Sequence, residues 1–226
     1  MSKRFLNILY EDRDILVVDK PSGVLTEPKR GSPFPNLVVM IQSYLRRKFK
    51  GSRGSFVQLI HRLDAETSGA VVVAKSREGM ALEDSFRSRR VGKVYDAVVC
   101  GAVEKESGKI DFPLEKGEFG HGQKVRVHQG GKEAVTRYRV LERYPNATWL
   151  EVEPETGRTH QIRVHLSAIG HPIIGDKRYG GEIPYKRQAL HAKCLRFRHP
   201  VTGKKMEIKS PMPPELSNLI DHLRGE

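Results

Sequence analysis

Apolar positions along the chain fall into short runs of two kinds, and their spacing predicts more strands than helices. Ile15-Leu16-Val17-Val18 is a continuous apolar run closed by Asp19-Lys20-Pro21-Ser22-Gly23, which reads as a buried strand ending in a turn. Pro- and Gly-rich chain continues to Pro35, so a loop precedes the first helix. Asn36 is placed to cap that helix, in which Leu37, Met40, Ile41, Tyr44 and Leu45 recur at helical spacing. Arg46, Arg47, Lys48 and Lys50 crowd its end, where cations suit the helix dipole. Residues Lys50 to Ser55 read as a basic loop leading into the apolar stretch Val57 to Ile60. Ala70-Val71-Val72-Val73-Ala74 is a second buried strand by its β-branched content, and Ser76 is placed to cap a short helix reaching Arg87 to Arg90.

Sheet dominates the middle of the chain. Strands are expected at Lys93 to Cys100, Lys124 to His128, Ala134 to Leu141 and Trp149 to Val152. Gly117 to Gln123 and Gln129-Gly130-Gly131-Lys132 fit hairpin connections of a meandering antiparallel sheet. Thr159 is placed to cap a helix with Ile162, His165, Leu166 and Ile169 on one face, ended by Gly170. Met206 and Ile208 mark an alternating strand, and after Pro213-Pro214 the residues Leu216, Leu219, Ile220 and Leu223 form an amphipathic helix. Strands that outnumber helices without regular alternation predict an α+β fold: a mixed, mostly antiparallel β-sheet flanked by helices and loops. No repeat or linker interrupts residues 1–226, so a single domain is expected.

Charge narrows the partner. Against 27 Asp and Glu the chain carries 40 Lys and Arg, a formal net charge of +13, which favours a polyanion such as nucleic acid. The two cysteines, Cys100 and Cys194, are too few for a disulfide scaffold or a four-cysteine zinc site, which points to a reducing compartment, read as the cytoplasm. Phe5, Leu6 and Ile8 are soon interrupted by Glu11, Asp12 and Arg13, too early for a secretory or membrane-spanning segment.

Two polar clusters are the candidates for chemistry. His61-Arg62-Leu63-Asp64-Ala65-Glu66-Thr67-Ser68-Gly69 sets ionisable and hydroxyl side chains between two apolar runs, although a turn in which Asp64 and Ser68 bond local backbone would need the same residues. In Glu155 to His165, the apolar stripe at 162, 166 and 169 leaves His160, Arg163 and Ser167 on another face. Arg158 beside a helix N-terminus suits a phosphate, and a solvated helix face is the alternative. Several other motifs fall away. His160 and His165 lie too far apart around a helix to share a metal, Thr67-Ser68-Gly69 lacks the strained elbow of a serine hydrolase, and Gly130-Gly131-Lys132 lacks the phosphate-loop pattern. No metal and no cofactor are expected.

These clusters carry a resemblance. HRLDAETSGAVVVAK is similar to the catalytic motif of the RluA-type RNA pseudouridine synthases. GRTHQIRVHLSAIGHPIIGDKRYG with Leu190-His191-Ala192, and LVVDKPSGV before them, resemble the same family's other motifs in order, covering roughly residues 8 to 210. The resemblance implies the catalytic domain alone, without the S4-like domain that many relatives carry, and a fold that agrees with the α+β expectation. It implies Asp64 as the essential aspartate, Tyr95 as the active-site tyrosine and Arg163 as the arginine that pairs with the aspartate, with Arg158 as a rival; charge pairing of this kind is expected to favour the ionised carboxylate. RNA contacts are expected from His61, Arg62, Arg158, His160, Arg46, Arg47 and Lys93, and from basic clusters at 46–50, 87–93 and 186–187. Arg62 is long and planar enough to fill the stacking space of an extruded uridine.

The implied reaction isomerises uridines in structured RNA, a tRNA or rRNA stem-loop, by a monomer without an obligate protein partner or a membrane. A non-catalytic RNA-binding protein and a hydrolase using Asp64 are the competing classes, separated by activity and by release of free uracil.

Overall fold

The computed structural model describes residues 6–28, 31, 36–49, 56–118 and 123–225. The basic loop expected at Lys50 to Ser55, part of the Pro/Gly-rich chain before Asn36 and the middle of the loop expected at 117–123 lie outside the described residues. In chain order the elements are β1 (Asn7–Glu11), β2 (Ile15–Lys20), α1 (Leu37–Lys48), β3 (Gln58–Leu59), β4 (Ser68–Ala74), a 3₁₀ turn (Glu78–Ala81), α2 (Leu82–Arg87), β5 (Gly92–Cys100), β6 (Ser107–Ile110), β7 (Leu114–Glu118), β8 (Gln123–Val127), β9 (Thr136–Tyr144), β10 (Ala147–Pro154), α3 (Gln161–Ala168), β11 (Leu190–Arg198), β12 (Lys205–Lys209) and α4 (Pro214–Arg224). The fold is α+β, a mostly antiparallel sheet with flanking helices. The chain forms two compact units, residues 1–92 with 192–211 and residues 93–191 with 212–226.

In the first unit β1, β2, β4 and β11 are successive neighbours, with β3 on β4 and β12 on β11. β2 and β4 pair antiparallel, Val17 opposite Val72, and every residue of β4 is buried. A strand covered on both faces needs an unbroken apolar run, which is what residues 70–74 supply. Its core holds Ile15, Val17, Ala70, Val72, Leu82, Val91, Leu195 and Phe197. Gly69 lets β4 start against β11: its φ is +119°, and a Cβ there would collide with the Ala192 backbone. Asn36 caps α1 by accepting the Val39 N–H at 3.0 Å, and Leu37, Ile41 and Leu45 are buried. Ser76 accepts the Gly79 N–H at 2.9 Å. The N-cap positions are Arg77 for the 3₁₀ turn and Ala81 for α2, so Ser76 braces the turn from the residue before its N-cap and does not cap the helix.

Strand β1 was not anticipated, because Glu11 and Asp12 break the apolar pattern. Both acids are fasteners. Glu11 accepts from Lys48 at 2.8 Å, Lys75 at 2.7 Å and Tyr44 at 2.7 Å, tying β1 to α1 and to the end of β4. Asp12 accepts the Asp14 and Ile15 N–H groups and pairs with His199 Nε2 at 2.7 Å. His199 Nδ1 accepts from Val201 and Thr202, so Nε2–H is the donor in the hydrogen bond that Asp12 accepts.

In the second unit β5, β10, β9 and β6 lie in that order and all three pairs are antiparallel. The expected meander is corrected here: β8 pairs with β7 in a separate two-stranded sheet rather than with β9. After the turn closed by Gly131 N–H to His128 C=O at 2.8 Å, Lys132 exchanges backbone hydrogen bonds with Leu114, which diverts the chain to the β7 side. Helix α4 buries Leu216, Leu219 and Ile220. Arg187, expected among the phosphate-holding cations, is 5% exposed and instead donates to Gln188 and Leu190 carbonyls and to Glu215.

Burial works to raise the Glu11 carboxyl, but Lys48, Lys75 and Tyr44 reverse it and bring it from 4.5 to about 2. A lowered folded value means that Glu11 contributes stability above its ordinary value, lost as pH falls from 4.5 toward about 2. Glu11→Gln is therefore expected to cost roughly 1–3 kcal/mol near neutral pH. In urea melts its deficit against wild type should shrink across that acid window; a deficit independent of pH would refute the electrostatic origin.

Candidate active site

Asp64 is half-buried on the loop between β3 and β4, and the backbone on either side of it is fastened by residues 20–26. Lys20 is fully buried, and its ammonium donates to the carbonyls of Pro21 at 3.1 Å, Val24 at 2.7 Å and Ala65 at 2.9 Å. Three carbonyls match the three donors of an ammonium, which offsets much of the cost of burying it. Thr26 Oγ1 holds Leu63 twice, donating to its carbonyl at 2.7 Å and accepting its N–H at 3.1 Å. Gly23 N–H donates to Ala65 C=O at 2.9 Å, Ser22 Oγ to Glu66 C=O at 2.9 Å, and Thr67 N–H to Asp64 C=O at 3.2 Å. The carboxylate thus stands on a loop whose backbone has few ways to move.

The flanking residues have different tasks. His61 Nε2 accepts the Val72 N–H at 3.1 Å and its ring stacks on Phe86 at 4.6 Å, so it secures the loop to β4 and α2. Arg62 is exposed and meets Glu27 at 3.4 Å, a weak surface pair whose guanidinium can exchange Glu27 for a phosphate. Arg46 and Arg47 lie exposed on the last turn of α1, with Arg46 Nε 3.4 Å from the Gln42 carbonyl.

In the second unit Lys93, Arg158, His160 and Arg163 gather around the start of α3. Lys93 Nζ donates to Thr156 C=O at 2.9 Å, and Arg158 Nε to Glu133 C=O at 2.9 Å. Tyr95 is 9% exposed on β5, opposite Val152 of β10. Thr159 does not cap the helix. The N-cap position is His160, in the left-handed region at φ 53°, with no side-chain cap. Gln161 fixes the turn before the helix: Oε1 accepts from Thr156 Oγ1 at 2.6 Å and the Arg158 N–H at 3.0 Å, while Nε2 donates to Val135 C=O at 2.9 Å and Thr136 Oγ1 at 3.0 Å. All four hydrogen-bonding positions of a buried amide are satisfied, and the Gly157-Arg158 turn is set by them.

The face of α3 expected to be open is covered by residues 176–179. His160 Nδ1 meets Tyr179 Oη at 2.8 Å, Arg163 pairs with Asp176 through Nε at 2.6 Å and Nη2 at 2.9 Å, and Ser167 Oγ donates to Tyr179 C=O at 2.7 Å. Burial works to raise the Asp176 carboxyl, but Arg163 and the Arg178 and Tyr179 N–H groups hold it below the usual carboxylate range. His165, on the packed face, bonds Thr136 Oγ1 at 2.9 Å and Phe112 C=O at 2.9 Å, and burial holds it below the usual imidazole range.

Lys20, Thr26, Gln161, Asp176 and Tyr179 were not singled out from the sequence. Lys20 did carry a signal: by strand alternation it follows Leu16 and Val18 on one face of the run. Among the described residues no cluster of three or more His, Cys, Asp or Glu could hold a metal ion, and no helix is long and apolar enough to cross a membrane.

Residues 14–168 match the family model described as RNA pseudouridylate synthase. Ribosomal large subunit pseudouridine synthase D of Pasteurella multocida is 37% identical over 240 residues, 98% of this chain and 72% of that protein. Its counterpart from Pseudomonas aeruginosa is 40% identical over 240 residues, with 98% and 72% covered. Among solved structures, human RNA pseudouridylate synthase domain containing 4 matches with a TM-score of 0.80 at 25% identity, over 96% of this chain and 93% of that one. Human RNA pseudouridylate synthase domain containing 1 gives 0.74 at 30% identity, over 98% and 95%. Fold and sequence therefore define an isomerase that acts on RNA. The chain belongs to the RNA pseudouridylate synthase family.

Thr26→Val keeps the shape of the side chain and removes both bonds to Leu63. It is expected to cost roughly 1–3 kcal/mol, because a buried N–H and C=O lose their partner. Amide exchange at Leu63 should rise more than at Val72 in the middle of β4; equal protection in variant and wild type would show that Thr26 does not hold the loop.

Proposed function

We propose that the chain converts uridine to pseudouridine in large-subunit ribosomal RNA, with Asp64 as catalytic carboxylate and residues 1–226 working as one catalytic domain. The observation that carries this reading is the fastening of the backbone on both sides of Asp64, at Leu63 by Thr26 and at Ala65 by Lys20. A reacting group gains from such support because small displacements are costly to rate. The names of the relatives support ribosomal RNA as the substrate class.

The reaction breaks N1–C1′, turns the uracil and joins C5 to C1′; N1 gains a proton and C5 gives one up. No electrons are exchanged, so the chemistry requires no cofactor. Asp64 acts on the ribose, attacking C1′ or removing a neighbouring ribose proton. Tyr95 stacks on the uracil and its hydroxyl assists departure of the C5 proton. Arg163 is the cation that the reaction requires. Arg62 fills the space vacated by the extruded base, and Arg46, Arg47, Lys93, Arg158 and His160 hold phosphates. His61 contributes by holding the loop that presents Arg62. The enzyme works as a monomer in the cytoplasm, without an obligate protein partner.

The test is tritium release from 5-tritiated uridine in unmodified large-subunit rRNA and in tRNA transcripts. Wild type is expected to release tritium from the rRNA without free uracil, and Asp64→Asn to release none. Equal release by Asp64→Asn would sink the catalytic assignment, and release from tRNA alone would reassign the substrate. Free uracil would make the enzyme a hydrolase.

A further inference from the structure

Asp176 is 1% exposed, and four hydrogen bonds converge on its carboxylate. Oδ2 accepts Arg163 Nε at 2.6 Å, while Oδ1 accepts Arg163 Nη2 at 2.9 Å and the N–H groups of Arg178 at 3.0 Å and Tyr179 at 3.3 Å. The Tyr179 ring lies over the same guanidinium, 5.1 Å from Cζ to centroid. Its hydroxyl is held by His160 Nδ1 at 2.8 Å and accepts the Val125 N–H at 3.3 Å. The guanidinium is therefore gripped along one edge by a carboxylate and on one face by an aromatic ring.

Stability alone is a poor reason for this arrangement. Replacing a buried ion pair by apolar groups of the same volume is often neutral or stabilising by about 1–4 kcal/mol. What a two-point fork does supply is direction, because it fixes the plane of an otherwise flexible side chain. A guanidinium has five N–H donors, so Arg163 can serve a second anion while Asp176 holds it.

We propose that Asp176 is a positioning residue for Arg163: it sets the plane in which Arg163 meets the reaction's anionic group, without itself touching RNA. This inference rests on the reading that Arg163 is required for turnover. Asp176→Asn is a sharp probe, since the amide oxygen can still accept the Arg178 and Tyr179 N–H groups while the charged fork to Arg163 is lost.

The test is a double-mutant cycle on the full chain with the tritiated rRNA transcript, using Asp176→Asn, Arg163→Met and the double variant, with thermal melts to establish folding. Asp176→Asn is expected to lower kcat roughly 10- to 100-fold with KM nearly unchanged. Added to Arg163→Met it is expected to cause no further loss, because a residue acting only through Arg163 has nothing left to act on. If Asp176→Asn fails to fold, Asp176→Glu, which keeps the charge but displaces it by one methylene, should show the same fall in kcat at constant KM. Full kcat in a folded Asp176 variant, with Arg163→Met measurably slowed, would overturn the inference and leave the proposed function standing. Losses that multiply in the double variant would also overturn it, marking Asp176 as a general support of the fold. Full turnover by Arg163→Met would remove the Arg163 assignment, and this inference with it.

Discussion

A lysine ammonium buried in a protein interior survives only if all of its donors find acceptors, and that requirement organises the first unit. Lys20 ends β2 with no exposure, and its ammonium meets the carbonyls of Pro21, Val24 and Ala65. Those acceptors come from two stretches of chain separated by α1 and β3. The charge therefore binds together segments that no strand pairing joins, and the loop bearing Asp64 takes its course from it. Thr26 and Ser22 add to the same seam.

The second unit reaches a similar end with different chemistry. Gln161 satisfies all four of its hydrogen-bonding positions within the turn before α3, and Asp176 brings residues 176–179 onto the face of that helix. In both units the segments that carry the candidate side chains are held by buried polar groups at fixed distances. Apolar packing tolerates small slides, whereas an unpaired polar group in a low dielectric does not, so polar fastening gives tighter geometry.

Much of this architecture was legible where a local rule is decisive. The unbroken apolar runs of β2 and β4, the Asn36 cap, the Gly170 stop and the amphipathic pattern of α4 each rest on a few adjacent residues. What escaped depends on partners far along the chain. β1 looked interrupted because the cations around Glu11 lie at positions 48 and 75. Thr159 looked like a cap because the competing amide of Gln161 reaches partners at 135 and 136. The meander failed because Lys132 pairs with Leu114, a choice the turn residues do not encode. The candidate site divides in the same way: Asp64, Tyr95 and Arg163 come from motif resemblance, while Lys20, Thr26 and Asp176 are recognisable only once their distances are known.

Both units are discontinuous in sequence, and this bears on how the chain is made. The first joins residues 1–92 to residues 192–211 and the second joins residues 93–191 to residues 212–226, so each is completed by a segment far along the chain from its start. Asp12 cannot meet His199, nor Asp19 meet Ser210, until the chain has been made through those later positions. Closing such distant contacts carries a large loop entropy and slows folding. Until β11 is made, β4 lacks the neighbour that lies beside it in the finished sheet. An apolar strand without its neighbour is a template for aggregation, so the interval before β11 is in place is when this fold is most exposed to it.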